Sequence, residues 1–286
     1  GSMALGANTT GNYNTAVGHE ALYTNVDGDY NVAIGWEALY TMEPTDGYGK
    51  NVGIGAQALK KVTTGTGSIG IGYRAGYSVT TSANNIAIGN SAMEDAVGAG
   101  STIAIGASSG YNPTGANNIF MGYASGYGDA TTKGAASNVA IGKETLKVVT
   151  DGSSNVAVGH QAAYSETTGG SNVYVGYQAG YGMIAENYNV GIGRGALYTD
   201  GPGNATAIGY NAMTTATGDN CTAIGQYANK TGTGDKTVAM GVSAGNSWAG
   251  AASSVAIGYG AAFYNTGNYN VAIGGNALDA DTKGSR

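Results

Sequence analysis

Two histidines, His19 and His160, each follow a glycine directly. Imidazole is the side chain best suited to move a proton near neutral pH. Glu20 and Glu37 stand 17 residues apart, each followed by Ala-Leu-Tyr. Two such carboxylates held side by side are the equipment of a glycan-cleaving enzyme, and their like charge would raise one pKa. Asp27 and Asp29 flank Gly28, a spacing that can hold calcium, and Cys221 is the only thiol. Tyrosine dominates the aromatic residues, 21 against two Phe and two Trp. A rigid amphipathic ring of this kind stacks on sugars and serves in interfaces.

What these side chains can do depends on the elements that carry them. Residues 14–23 read NTAVGHEALY and residues 31–40 read NVAIGWEALY. With the glycine as anchor, the frame recurs at Gly6, Gly18, Gly35, Gly55, Gly72, Gly89, Gly106, Gly122, Gly142, Gly159, Gly176, Gly193, Gly209, Gly225, Gly241, Gly258 and Gly274. Steps are 16 or 17 residues, apart from 12 at the start and 20 at Gly35 to Gly55 and Gly122 to Gly142. The repeat fills the chain, so residues 4–286 read as one repeat domain. The opening Gly-Ser-Met reads as a remnant of cloning, and the chain as a piece of a longer protein.

The frame weakens the catalytic readings. Both histidines fall in a position that elsewhere holds Trp36, Tyr73, Arg194 or Gly275, which marks an exposed surface slot. Glu20 and Glu37 sit in ordinary repeats and read as a solvated pair. No acidic loop recurs, so neither a structural metal nor a cofactor is expected. Cys221 takes a slot usually held by Asn and has no partner thiol. No catalytic residue is expected, and the chain does not read as an enzyme.

Composition narrows the class further. With 52 Gly but no three-residue period, and 42% hydrophobic residues in register, the chain is neither collagen nor disordered. Net charge is −6 with only 12 Lys and Arg, so no basic stripe is available for nucleic acid. No apolar run approaches the ~20 residues of a membrane span, and direct membrane insertion is not expected.

Before each anchor the pattern is β-branched, small, β-branched, as in Val-Ala-Ile, which is a strand of period two. The segment after the anchor, as in EALY or RAGY, reads as a second strand, and the variable Thr, Gly and Asn remainder as an outer loop. The Asn column four before the anchor marks a corner and can hydrogen-bond along the stack. The Ile and Val face is expected to point into a core. The Ala face, with Ala33, Ala87, Ala104, Ala140, Ala157 and Ala256, is then expected to meet identical chains. The fold class read from this pattern is all-β, a parallel β-roll or β-solenoid of about 17 coils of 16–20 residues.

The repeated NVAIG, SVAIG and NTAVG units resemble the head repeats of trimeric autotransporter adhesins. A longer form with GYxxGY, at residues 72–77, 122–127 and 176–181, also resembles repeats of phage tail-fibre and other trimeric surface-fibre proteins. The resemblance implies a left-handed roll assembled as a homotrimer into an elongated fibre segment. It also implies an extracellular setting, on a bacterial surface or a virion tail fibre, and a role in attachment to a cell-surface polysaccharide or protein receptor.

Three other readings compete. An acyltransferase of hexapeptide repeats needs three six-residue faces, which the wandering spacing does not supply. Ice or crystal-surface binding needs a flat Thr array, whereas the Thr pairs here lie at different offsets. A tailspike that degrades glycans ranks below both attachment and ice binding. Any ligand is expected where the repeat is broken: at Trp36, Glu43, Asp46 and Tyr48 around the first insertion, and at Tyr127 and Asp129 around the second.

Overall fold

A computed structural model describes residues 1–43, 47–112, 115–128, 134–199, 201–250 and 252–279 of the chain. It is an all-β parallel β-solenoid of about 15 turns, with no helix among the described residues. The chain divides into two compact units, Gly1–Asp151 and Gly152–Arg286.

In the first unit, eight three-residue strands pair in parallel: β1 (Thr15–Val17), β2 (Val32–Ile34), β3 (Val52–Ile54), β4 (Ile69–Ile71), β5 (Ile86–Ile88), β6 (Ile103–Ile105), β7 (Ile119–Met121) and β8 (Val139–Ile141). The second unit repeats the design with β9 (Val156–Val158), β10 (Val173–Val175), β11 (Val190–Ile192), β12 (Thr206–Ile208), β13 (Thr222–Ile224), β14 (Val238–Met240), β16 (Val255–Ile257) and β18 (Val271–Ile273). A second pair, β15 (Ser247–Trp248) with β17 (Tyr264–Asn265), lies beside it. Register is uniform, with Ala16 opposite Ala33 and Ile208 opposite Ile224, because the same triplet recurs in each coil.

The anchor glycine is required twice over. Gly55 has φ +130, and a Cβ there would stand 2.5 Å from the carbonyl oxygen of Gly72 in the next coil. No L side chain fits that stack.

Three expectations are corrected. The copy at Gly6 is out of frame: Leu5 donates its N–H to Ala21 at 2.9 Å, as Leu22 does to Ala38 at 3.0 Å. Residues 1–7 are therefore the turn segment of a coil whose anchor is Gly1, 17 residues before Gly18, and they carry no strand.

The segment after the anchor is also not a strand. Glu37 and Leu39 have φ +53 and +50, and the same left-handed pair recurs at Gln57 and Leu59, and at Asn211 and Met213. Glu37 donates to His19 in the preceding coil at 2.9 Å, and Leu39 to Ala58 in the following one at 3.0 Å. Each left-handed residue costs on the order of 1 kcal/mol, so the conformation persists because the stack over-determines it. Leu22, Leu39, Leu59, Leu146 and Leu197, which occupy this position, are fully buried.

The third correction reverses the strand faces. Ala33, Ala104, Ala140, Ala157 and Ala256 are 0% exposed and Ala87 is 1% exposed, all inside their own coils. They cannot form an interface between chains. The flanking column points outward: Ile34, Ile141 and Ile192 are 38% exposed and Ile71 37%. Where a leucine beyond the turn fills the interior, the inner strand position has room for a methyl group but not for a larger side chain as well.

The Asn column forms the ladder expected of it. Asn31, Asn51, Asn172 and Asn189 each donate a backbone N–H to the Asn Oδ1 of the preceding coil at 2.8–3.1 Å. Asn155 and Asn172 also donate from Nδ2 to loop carbonyls at 2.8 Å. These bonds satisfy polar groups that are fully buried. Cys221 takes an Asn position, accepting from the Thr237 hydroxyl at 3.0 Å, and burial pushes its thiol up.

Candidate interaction surfaces

Trp36 is 49% exposed and stands in the column directly after the anchor glycines. Tyr48 is 51% exposed but lies on another side of the coil, where it bridges to Asp29 and stacks on Tyr30 at 6.4 Å. Glu43 is exposed, with its N–H donated to Thr63 at 2.9 Å. Met42, in the same loop, is fully buried, and its sulfur accepts from Asn51 at 3.3 Å. The first insertion thus places Trp36 and Tyr48 on different columns. Asp46, along with Pro44, lies outside the described residues. At the second insertion Tyr127 stacks on Tyr111 at 4.9 Å and 12°, while Asp129 and Lys133 also lie outside the described residues.

Glu37 is not one of a repelling pair. It accepts from Lys60 Nζ at 2.6 Å and from Gln57 Nε2 at 2.7 Å. Burial pulls its pKa upward, but these hydrogen bonds and the ammonium charge outweigh that, and the carboxyl sits below its ordinary value. Glu20 lies 3.7 Å from His19 Nδ1, and the His19 side chain is 52% exposed. His160 stacks on Tyr177 at 5.4 Å. Asp29 accepts the N–H of Asn12 at 2.6 Å, a loop-tying role.

The tyrosines form ladders. Tyr13 stacks on Tyr30 at 4.9 Å, Tyr23 on Tyr40 at 5.3 Å, and Tyr164, Tyr181 and Tyr198 continue one another at 5.1 and 5.2 Å. Equivalent positions on consecutive coils lie one strand spacing apart, close to the distance at which rings stack.

A recurring surface feature of each unit is aliphatic. In most coils two β-branched side chains flank a small buried residue, with Met121 and Met240 as exceptions, and the outer one is commonly 36–39% exposed in both units. At the last strand Ile273 is 68% exposed against 37% for Ile257 one coil inside. Stacking therefore covers only part of each side chain, and the outward tips are left in the open. Sequence reasoning had this strip facing inward. The clue lay in parity, since the Ala and the Asn column share one side of the strand, and buried Asn ladders belong inside a coil.

Comparison with protein-family models, with curated proteins and with solved structures gave no match.

Proposed function

We propose that this chain is a structural and adhesive segment of a homotrimeric surface or tail fibre, working outside the cell to give length and to attach to surface glycans. The observation that carries the reading is the outward Ile and Val strip. Apolar side chains repeated in register at the surface mark a place of association. Identical chains carry identical strips, so rotation about an axis parallel to the strip of a unit covers the coils of that unit together. The number three and the left hand of the coil follow from the resemblance of the NVAIG units to adhesin head repeats. The seam proposed for each unit uses the outward column, Ile141 in the first and Ile192 in the second, rather than the alanines beneath it.

Sedimentation equilibrium tests this. The expected mass is about three times the 28.3 kDa chain. Ile141→Asp with Ile192→Asp should give folded monomers, because both side chains are half exposed within their own coil. A wild-type monomer overturns the assembly. A trimer that binds no surface polysaccharide on a glycan array leaves the segment as a spacer.

A further inference from the structure

In the second unit, His160, Tyr177, Arg194 and Tyr210 follow one another in the column directly after the anchors. His160 stacks on Tyr177, and the Arg194 guanidinium lies 5.4 Å from the Tyr177 ring and 5.7 Å from that of Tyr210. Two flanking ring faces hold the cation by attraction to their π systems. Arg74, by contrast, forms an ion pair with Glu94. Arg194 forms none among the described residues, so its charge is not neutralised.

Beside it lies a shallow pocket of about 190 Å³, lined by Gln178, Arg194, Tyr198, Tyr210 and Asn211. One water needs about 10–15 Å³ on this scale, so a ring of several heavy atoms fits. The slot two after the anchor shapes the pocket. Gln161, Gln178 and Asn211 fill the corresponding place in neighbouring coils, whereas here it is Gly195, whose Cβ would collide with Asn211 Oδ1.

The Gly258-Tyr259-Gly260 coil repeats this construction with opposite charge. A Cβ on Gly260 would stand 2.5 Å from Asn276 Oδ1. The pocket there, of about 290 Å³, is lined by Asp279 and by no cation among the described residues.

We propose that the Arg194 pocket binds a carboxylate-bearing sugar ring of an acidic polysaccharide. The guanidinium presents a planar fork to a carboxylate. The phenol rings of Tyr198 and Tyr210 offer apolar faces to the sugar, and the Gln178 and Asn211 amides can exchange hydrogen bonds with its hydroxyls. A single cation without lysines suits one negative charge better than a phosphate dianion. The choice of a polysaccharide as the source of the ring rests on the adhesive reading; the site itself does not depend on trimer formation.

Titration calorimetry of the full chain with oligogalacturonate and with a sialyl oligosaccharide, alongside sedimentation of the same samples, tests the site. Expected are saturable binding of at least one of the two acids, at least tenfold loss on Arg194→Gln, partial recovery in Arg194→Lys, and weakening in Tyr210→Ala. Methyl esterification of the bound oligomer should abolish binding. Asp279→Asn should leave affinity unchanged. The proposal is overturned if neither acid binds, if the ester binds as well as the acid, if Arg194→Gln retains affinity, or if inorganic phosphate competes at equal strength. Failure to bind by a protein that sediments as a trimer removes the site and leaves the fibre. Binding by a monomer removes the assembly and keeps the site.

Discussion

Gly70 and Leu59 share one volume: a Cβ on Gly70 would stand 2.7 Å from Leu59 Cγ in the neighbouring coil. Gly53 meets Leu39 in the same way at 3.2 Å. Where the central strand residue is large the relation inverts. Phe120 and Tyr174 are buried against Gly126 and Gly180, whose missing Cβ atoms would collide with the rings. At these positions one interior volume is filled from either of two elements.

Phe120→Ala should therefore cost about 3–5 kcal/mol, the usual range for an aromatic core truncation. Gly126→Leu should destabilise the protein in the presence of Phe120. The two together should recover much of the loss, since Leu39 and Leu59 occupy the equivalent place at φ +50 and +51. Urea unfolding of the double-mutant cycle measures the coupling. Simple additivity would refute the shared-volume account.

The Asn ladder gives a second test. Asn172→Ala removes the acceptor of the Asn189 N–H and leaves that buried donor unpaired, at a cost of about 1–3 kcal/mol. Cys221→Asn restores the majority residue and should be neutral or stabilising by about 1 kcal/mol. Both are read from urea midpoints, and a marked loss in Cys221→Asn would show that the thiol is there for fit.

Glu37 sets an acid-side dependence. Its folded pKa lies below the ordinary 4.5, so its contribution is fully present above that value and is lost as pH falls through the lower folded value. The side chains of Glu37 and Lys60 retain some exposure, which limits the pair to less than about 1 kcal/mol. Glu37→Gln should be slightly less stable than wild type at pH 7 and should converge with it as pH falls below the folded value. Parallel stability curves over that range would contradict this.

Tyr111 sets an alkaline one. Burial, followed by the charges of Glu94 and Asp95, pushes its phenol up from 10.0 to about 12. Its contribution is present below pH 10 and is lost as pH rises through the folded value. Ultraviolet titration should show a late-ionising phenol that Tyr111→Phe removes.

The repeat, its parallel stacking and the Asn ladder were legible in the sequence because each rests on one residue type recurring at one spacing. The orientation of the strand was not. Period two separates two faces without naming the inner one, and Ala beside Ile suggests by hydropathy alone that Ile goes inside. The size limit of the coil reverses that choice, and it becomes visible only when Gly70 is set against Leu59, or Phe120 against Gly126. The Glu-Ala-Leu-Tyr segments misled for another reason: left-handed Glu37 and Leu39 carry no sequence mark, since glycine is absent at both. The Arg194 pocket carries no sequence mark, because it depends on how Gln178, Arg194, Tyr198 and Tyr210 from successive coils come together.

The hydrogen bonds joining one coil to the next, such as Ile69 N–H to Asn85 at 2.7 Å and Ile86 N–H to Thr102 at 2.9 Å, run along the stacking direction, whereas the chain winds across it. Within one unit, tension along the stack therefore loads the bonds of each rung together and the rungs in series. Once the weakest rung parts, the chain unspools one coil at a time. A 17-residue coil releases roughly 50–60 Å of slack against the ~4.8 Å it occupied, so the material yields in near-equal steps and absorbs mechanical work at each one.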